Sequence, residues 1–141
     1  MKITFVCTGN TCRSPMAEAL CRKLLSDKET ESVTVASAGL FPQSGDVTSR
    51  LAVQALHEEG IDIQPKKAVL LTQKLADESD LIAVMTERHA ELIRQSFLHT
   101  EGKLRVLNID DPYGGNLDDY RQCCWQLERE IKRLLRKEKV C

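Results

Sequence analysis

The sequence predicts an α/β domain built on a parallel sheet, and three observations predict it. Short β-branched and apolar runs at 3–6, 33–36, 81–85 and 104–109 alternate with stretches of helical periodicity, the pattern of strand–helix–strand units. The run at 81–85 (LIAVM) is apolar without a break, as in a strand covered on both faces. The length of 141 residues fits a single domain, 1–141, able to bury about two-thirds of the surface its unfolded chain exposes.

Residues 3–6 (ITFV) read as the first strand. Residues 8–14 are small and polar with one glycine and do not extend it. Pro15 suits the start of a helix, where its fixed φ is pre-set and its missing N–H goes unused. Ser14 before it has two readings. It is the N-cap, or, because position 17 holds Ala17 instead of the Glu or Gln of a capping box, its hydroxyl is available to Cys7. The charges at 27–31 end this helix.

The second strand, 33–36, closes at Ser37, Ala38 and Gly39, and a loop with Pro42 and Gly45 follows. Thr48 is expected to cap a helix in which Leu51, Ala52, Ala55 and Leu56 recur at helical spacing, with Gly60 as its stop. Residues 61–71 are irregular, with Pro65 inside. A short helix follows Thr72 and ends before Ser79 and Asp80. After the third strand, Thr86 caps a helix with Ala90, Ile93 and Phe97 on one side. The fourth strand, 104–109, is interrupted by Arg105 and Asn108. From Leu117 to Lys137, the residues Leu117, Tyr120, Cys124, Leu127, Ile131 and Leu134 form one long apolar stripe. Basic residues near its end suit the negative pole of the helix. His57, His89 and His99 fall on helices or loop ends and are expected at the surface.

Twenty basic and 21 acidic residues leave a formal charge of −1, which offers no basic surface to nucleic acid or a membrane. Met1 and Lys2 lead directly into a strand, without room for a signal peptide, and no apolar run reaches membrane-spanning length. A cytoplasmic monomer is expected. The six cysteines contain no C-x2-C, and the three histidines lie far from any cysteine pair. This is not a zinc pattern, and no metal or cofactor is expected. Cys21, Cys123, Cys124 and Cys141 read as packing residues.

The chemistry concentrates in Cys7-Thr8-Gly9-Asn10-Thr11-Cys12-Arg13, between the first strand and the first helix. A tight loop entering a helix N-terminus turns several backbone N–H groups toward one point, where the helix dipole favours an anion. Arg13 adds a planar fork of donors matched to two phosphate oxygens. Cys7 points into the same cradle, and a thiol beside a cation and a helix N-terminus ionises readily to a nucleophile. Right-handed crossovers place every strand-to-helix loop at one edge of the sheet. The loop after the fourth strand, with Asp110, Asp111 and Pro112, therefore shares a rim with Cys7. Pro112 biases the residue before it toward an extended backbone, which holds a carboxylate out on that rim.

Cys7 to Arg13 followed by Ser14-Pro15-Met16-Ala17-Glu18, with Ser37-Ala38-Gly39 and Asp111-Pro112-Tyr113-Gly114 downstream, resembles the low-molecular-weight protein tyrosine phosphatases across nearly the whole chain. The resemblance implies a four-stranded parallel sheet in the order 2-1-3-4 with helices on both faces. It implies a metal-free, two-step reaction on phosphorylated proteins. Cys7 attacks phosphorus while Asp111, preferred over Asp110 by the motif, protonates the leaving atom, and Asp111 then activates the water that hydrolyses the phosphocysteine. Thr8, Gly9, Asn10, Thr11, Cys12, Arg13 and Ser14 are the implied phosphate cradle, which would also accept other oxyanions. Asn10 either holds the loop's shape, with Ser37 behind it, or is a plain turn residue. Cys12 is either a reversible disulfide partner of Cys7, as implied by the family, or a small buried side chain.

Thr11 and the Asp-Pro-Tyr-Gly-Gly run at 111–115 are most similar to the bacterial protein arginine phosphatase branch. Tyrosine-directed members carry a larger aliphatic at the place of Thr11 and two aromatics after Asp-Pro. The resemblance thus implies phosphoarginine as substrate, with Thr11 and Tyr113 as specificity residues and phosphotyrosine as the alternative; Thr11 as a mere tuner of the loop is the plainer reading. One departure stands out: Gln64-Pro65-Lys66-Lys67 lies where many members carry a histidine tied to the loop. An arsenate reductase would need two further cysteines beyond the third strand, and residues 73–108 hold none. A cysteine phosphocarrier would gain nothing from Asp111, which would hydrolyse its own phosphocysteine.

Overall fold

In a computed structural model that describes residues 1–28 and 32–140, the strands are β1 (Lys2–Cys7), β2 (Thr34–Gly39), β3 (Leu81–Val84) and β4 (Leu104–Val106). The helices are α1 (Arg13–Asp27), α2 (Arg50–Glu58), α3 (Gln73–Glu78), α4 (Glu87–Ser96) and α5 (Leu117–Lys137). All strands run parallel in the order β2-β1-β3-β4. Helices α1, α2 and α5 pack together on one face, and α3 and α4 cover the other. The end of the charged run, at 29–31, and Cys141 lie outside the described residues.

Strand alternation settles where the thiol goes. Along β1, Ile3, Phe5 and Cys7 belong to the core under α1, α2 and α5, and Val6 joins Ile82 and Val84 on the α3/α4 side. Cys7 is the last residue of β1, paired with Gly39 of β2, and so faces the start of α1.

Helix ends follow local chemistry, with two corrections. Thr72 and Thr86 accept from the backbone N–H groups of Leu75 and His89, as N-caps do. After α2, Gly60 adopts φ +81°. Its N–H donates to the His57 carbonyl while that of Ile61 reaches Leu56, both at 2.9 Å, a Schellman ending. But Thr48 is not the cap of α2. Ser49 holds that position, and the Thr48 hydroxyl instead accepts from the Lys66 N–H at 3.2 Å. And α1 starts at Arg13, so Ser14 lies inside the helix. Pro15 still costs nothing, because the first turn has no internal acceptor for its missing N–H.

The fourth strand is shorter than expected. Asn108 has φ +58°, which breaks the ladder, although Leu107 and Ile109 still donate to the Val84 and Met85 carbonyls. Helix α5 matches the expected span. It opens with a capping box in which the Asn116 side chain accepts from the Asp119 N–H and the Asp119 carboxylate accepts from the Asn116 N–H.

Candidate active site

The loop from β1 to α1 is held in shape by Asn10. Its φ of +56° is left-handed, which asparagine tolerates better than most residues. Its Nδ2 donates to Ser14 Oγ at 2.8 Å and Ser37 Oγ at 3.1 Å, and its Oδ1 accepts from the Val69 N–H at 2.9 Å. With all three bonds buried or nearly so, Asn10 is a scaffold for the loop and no plain turn residue.

Cys7 Sγ is buried, 3.3 Å from the Asn10 N–H and 2.9 Å from Ser14 Oγ. Ser14 has one hydroxyl proton, and two acceptors lie in range, the Cys7 sulfur and the Ala38 carbonyl at 3.3 Å. A thiol supplies its own proton to Ser14, leaving the Ser14 proton to Ala38. An anionic sulfur draws the Ser14 proton to itself. Of the two readings of Ser14, the geometry supports the hydroxyl beside Cys7, not the cap.

Gly39 explains the Ser-Ala-Gly run. A Cβ there would sit 2.8 Å from the Thr8 carbonyl oxygen and 2.9 Å from the Asn10 nitrogen. Only glycine lets the end of β2 lie this close against the loop. The N–H groups of Leu40 and Phe41 then donate to the carbonyls of Cys7 and Thr8 at 3.0 and 2.8 Å.

Behind the loop, Glu18 is buried with its charge compensated. It accepts from Ser37 Oγ and Lys66 Nζ, both at 2.6 Å, and pairs with Arg22 at 2.6 Å. Lys66 also reaches Ser37 Oγ at 3.1 Å. The departure noted in the sequence therefore lands in the same network: Lys66 connects through Ser37 to Asn10, and from there to Ser14 and Cys7.

Arg13 is 4 % exposed. Its Nη1 donates to the Ile109 carbonyl at 3.0 Å, and its Nη2 lies 3.4 Å from Asp111 Oδ2. The Asp111 side chain is half exposed, and its Oδ1 accepts from the Tyr113 N–H at 3.0 Å. Both following glycines have local causes. Gly114 has φ +82° within a turn closed by the Gly115 N–H on the Pro112 carbonyl at 2.9 Å, as a type II turn requires. A Cβ on Gly115 would collide with the Asp119 carboxylate, which is engaged in the capping box of α5. A second aromatic has no place there, and Tyr113, 78 % exposed, is the one aromatic ring this loop presents.

These segments enclose a cleft of about 300 Å³ lined by Cys7, Thr8, Gly9, Thr11, Cys12 and Arg13 from the loop, with Asp111 and Tyr113 across from them. Phe41, Gln43 and Asp46, from the loop after β2, complete the wall. Sequence reasoning left that loop without a role. Cys12 Sγ lies 3.2 Å from the Tyr120 hydroxyl, which also accepts from Ser49 Oγ at 3.3 Å. Burial pushes the Cys12 thiol up and the Tyr120 phenol up to about 12, so Cys12 stays protonated beside Cys7. Cys21, Cys123 and Cys124 are buried in the core, and burial raises the last two to about 12. The packing assignment of Cys141 falls outside the described residues.

The surface assignment holds for His57 and His99 but not for His89, which is 5 % exposed. Its Nε2 lies 2.9 Å from Thr8 Oγ1 and its Nδ1 3.1 Å from Thr86 Oγ1, tying the anion loop to the start of α4. The signal was the T-x-x-H spacing, which folds a histidine back over its own N-cap. Burial, and then the Arg13 charge, depress its pKa to about 4. Between that value and the unfolded 6.5 the unfolded chain binds more protons, so stability is lost as pH falls through this window. Urea unfolding at pH 7 and 4.5 should show His89→Gln losing about 2–3 kcal/mol less than the native chain.

A family model for the low molecular weight phosphotyrosine protein phosphatases matches residues 2–140. The chain belongs to this family and is a protein phosphatase. It is 37 % identical to a protein-arginine-phosphatase of Bacillus subtilis over 99 % of this chain and 97 % of that one. It is 38 % identical to the low molecular weight protein-tyrosine-phosphatase PtpB of Staphylococcus haemolyticus over 90 % and 92 %. Among solved structures, the YwlE arginine phosphatase C7S mutant with phosphorylated active site serine superposes with a TM-score of 0.92 at 35 % identity, covering 99 % of this chain and 96 % of that one. The sheet order expected from the motifs is the observed one.

Proposed function

We propose that the protein removes phosphate from phosphoarginine in proteins through a phosphocysteine on Cys7. One observation carries the reading: a sulfur at a strand end, a guanidinium at a helix start and a carboxylate from a distant loop meet in one cleft. Cys7 sulfur attacks phosphorus and the P–N bond breaks as Asp111 gives its proton to the departing guanidine nitrogen. Water then attacks phosphorus, Asp111 takes its proton, and the P–S bond breaks to release phosphate and the thiolate. The loop N–H groups of residues 8–13 and the Arg13 fork hold the oxygens throughout, and Ser14 donates to the sulfur as it leaves. A peroxide would oxidise Cys7 to a sulfenic acid, whose hydroxyl the Cys12 thiol displaces as water to form a Cys7–Cys12 disulfide; a thiol reductant would return both to thiols, so the nucleophile is protected reversibly. We place this activity in a cytoplasmic monomer.

Substrate choice rests on Thr11 and Tyr113. Thr11 is partly buried in the cleft, where a small hydroxyl side chain leaves room for a polar leaving group. Tyr113 is the one aromatic after Asp-Pro, where tyrosine-directed members carry two, and this narrower wall suits a slender guanidinium better than a phenol; Phe41 lines the cleft from the loop after β2. The arginine phosphatase relatives support this reading, and the PtpB relatives support phosphotyrosine as the second. Turnover of a phosphoarginine and a phosphotyrosine peptide decides. The native chain should prefer phosphoarginine, and Thr11→Ile should move preference toward phosphotyrosine by about tenfold or more. Equal or reversed preference in the native chain rejects the substrate while leaving the phosphatase chemistry intact.

A further inference from the structure

The cleft wall holds a carboxylate that neither the fold nor the reaction uses. Asp46 lines the cleft, is partly buried, and has no hydrogen-bond or ion-pair partner for its carboxylate among the described residues. Among the described residues, the one cation lining the cleft, Arg13, is paired with Asp111, and the nearby Lys66 is committed to Glu18. A partly buried, unpaired carboxylate facing a site for a dianion is unfavourable by itself. It repels phosphate unless the ligand brings a positive charge beside the phosphorus.

The backbone under Asp46 is fixed on both sides. Its N–H donates to the Gln43 carbonyl at 3.1 Å across a turn in which Gly45 has φ +88°. Its carbonyl accepts from the Ala68 N–H at 2.9 Å, and the next residue, Val47, bridges to Lys67. The Ser49 N–H donates to the Thr11 carbonyl at 2.8 Å, which ties this segment to the anion loop. A side chain held this way meets a ligand at little ordering cost.

Topology adds the direction. Asp46 comes from the loop after β2 and Asp111 from the loop after β4, the opposite edges of the sheet, with the anion loop between them. A flat cation seated over Cys7 thus has a carboxylate on either side.

Resting on the phosphoarginine reading above, we propose that Asp46 is a specificity residue whose carboxylate accepts the guanidinium N–H groups of phosphoarginine turned away from phosphorus. Asp111 serves the bridging nitrogen, whose bond breaks, and Asp46 the remaining fork, which stays cationic. A planar guanidinium matches a carboxylate with two parallel bonds. A phosphorylated phenol offers Asp46 only an apolar edge.

The test compares kcat/KM of the native chain and Asp46→Asn on two peptides without other basic residues, one carrying phosphoarginine and one phosphotyrosine. Asparagine keeps the shape and removes the charge. The phosphoarginine value should fall about tenfold, mainly through KM. The phosphotyrosine value should rise, since a repulsion is removed, and both changes should shrink as salt is raised. Asp46→Lys should widen the effect. A ratio of the two values that is the same in native and Asp46→Asn proteins overturns the proposal, as does a parallel loss on both peptides, the mark of a structural role. The native ratio alone judges the substrate reading, and the shift between the two proteins judges Asp46, so the two failures are distinct.

Discussion

Replacing Cys7 by serine is expected to abolish turnover, with kcat reduced by about 10⁴-fold or more. The sulfur ends β1 within reach of two groups able to donate to it, the Asn10 N–H and the Ser14 hydroxyl. A serine hydroxyl at the same point stays protonated at neutral pH and is a far weaker nucleophile. It is also a poorer leaving group, so a phosphoserine once formed would persist. The anion loop itself needs no sulfur, and Cys7→Ser should still bind phosphate. Mass spectrometry of acid-quenched native enzyme during turnover should find phosphate on Cys7. If that adduct never forms and alkylation of Cys7 leaves the rate intact, the mechanism is wrong.

Asp111→Asn is expected to lower kcat by about 10²–10⁴-fold, the usual contribution of a positioned general acid. The substitution spares the fold, because asparagine keeps the oxygen that accepts from the Tyr113 N–H. It removes the proton. A guanidine nitrogen or a phenol leaves poorly unless protonated, so the loss should be large on a peptide. It should be smaller on an aryl phosphate with an acidic phenol, for which expulsion needs less help. Asp110, exposed and outside the anion cleft, is the control. Asp110→Asn should cost little, and a loss equal to that of Asp111→Asn would remove Asp111 from its role.

Both variants test residues that were legible before any coordinates, and the reason is that their signals are local. Seven consecutive residues place Cys7 and Arg13 at the two ends of one loop, and Asp111 is marked by the proline after it. The span of α5 and the caps at Thr72 and Thr86 were equally readable, since periodicity and capping depend on neighbours within a turn. Ser14 was ambiguous because its choice between cap and sulfur depended on where α1 begins, and that is decided by the packing of the loop against β2.

His89 and Thr8 are 81 positions apart, and no pattern along the chain pairs them. Lys66 meets Glu18 across 48 positions. Gly115 looked like part of a specificity loop, and its lack of a Cβ is also demanded by the Asp119 carboxylate at the start of α5.

The sequence by itself determined where Cys7, Arg13 and Asp111, the proposed nucleophile, guanidinium and acid, stand in the chain, and the alternation of strands and helices, because each is written in residue types at short spacing. Only the tertiary structure decided what surrounds them: the burial of His89, the ion pair that anchors the loop from behind, and Asp46 on the cleft wall with no carboxylate partner among the described residues. Those depend on which loops the order β2-β1-β3-β4 gathers at one edge. Through-space contact between distant segments leaves no trace in the spacing of either one.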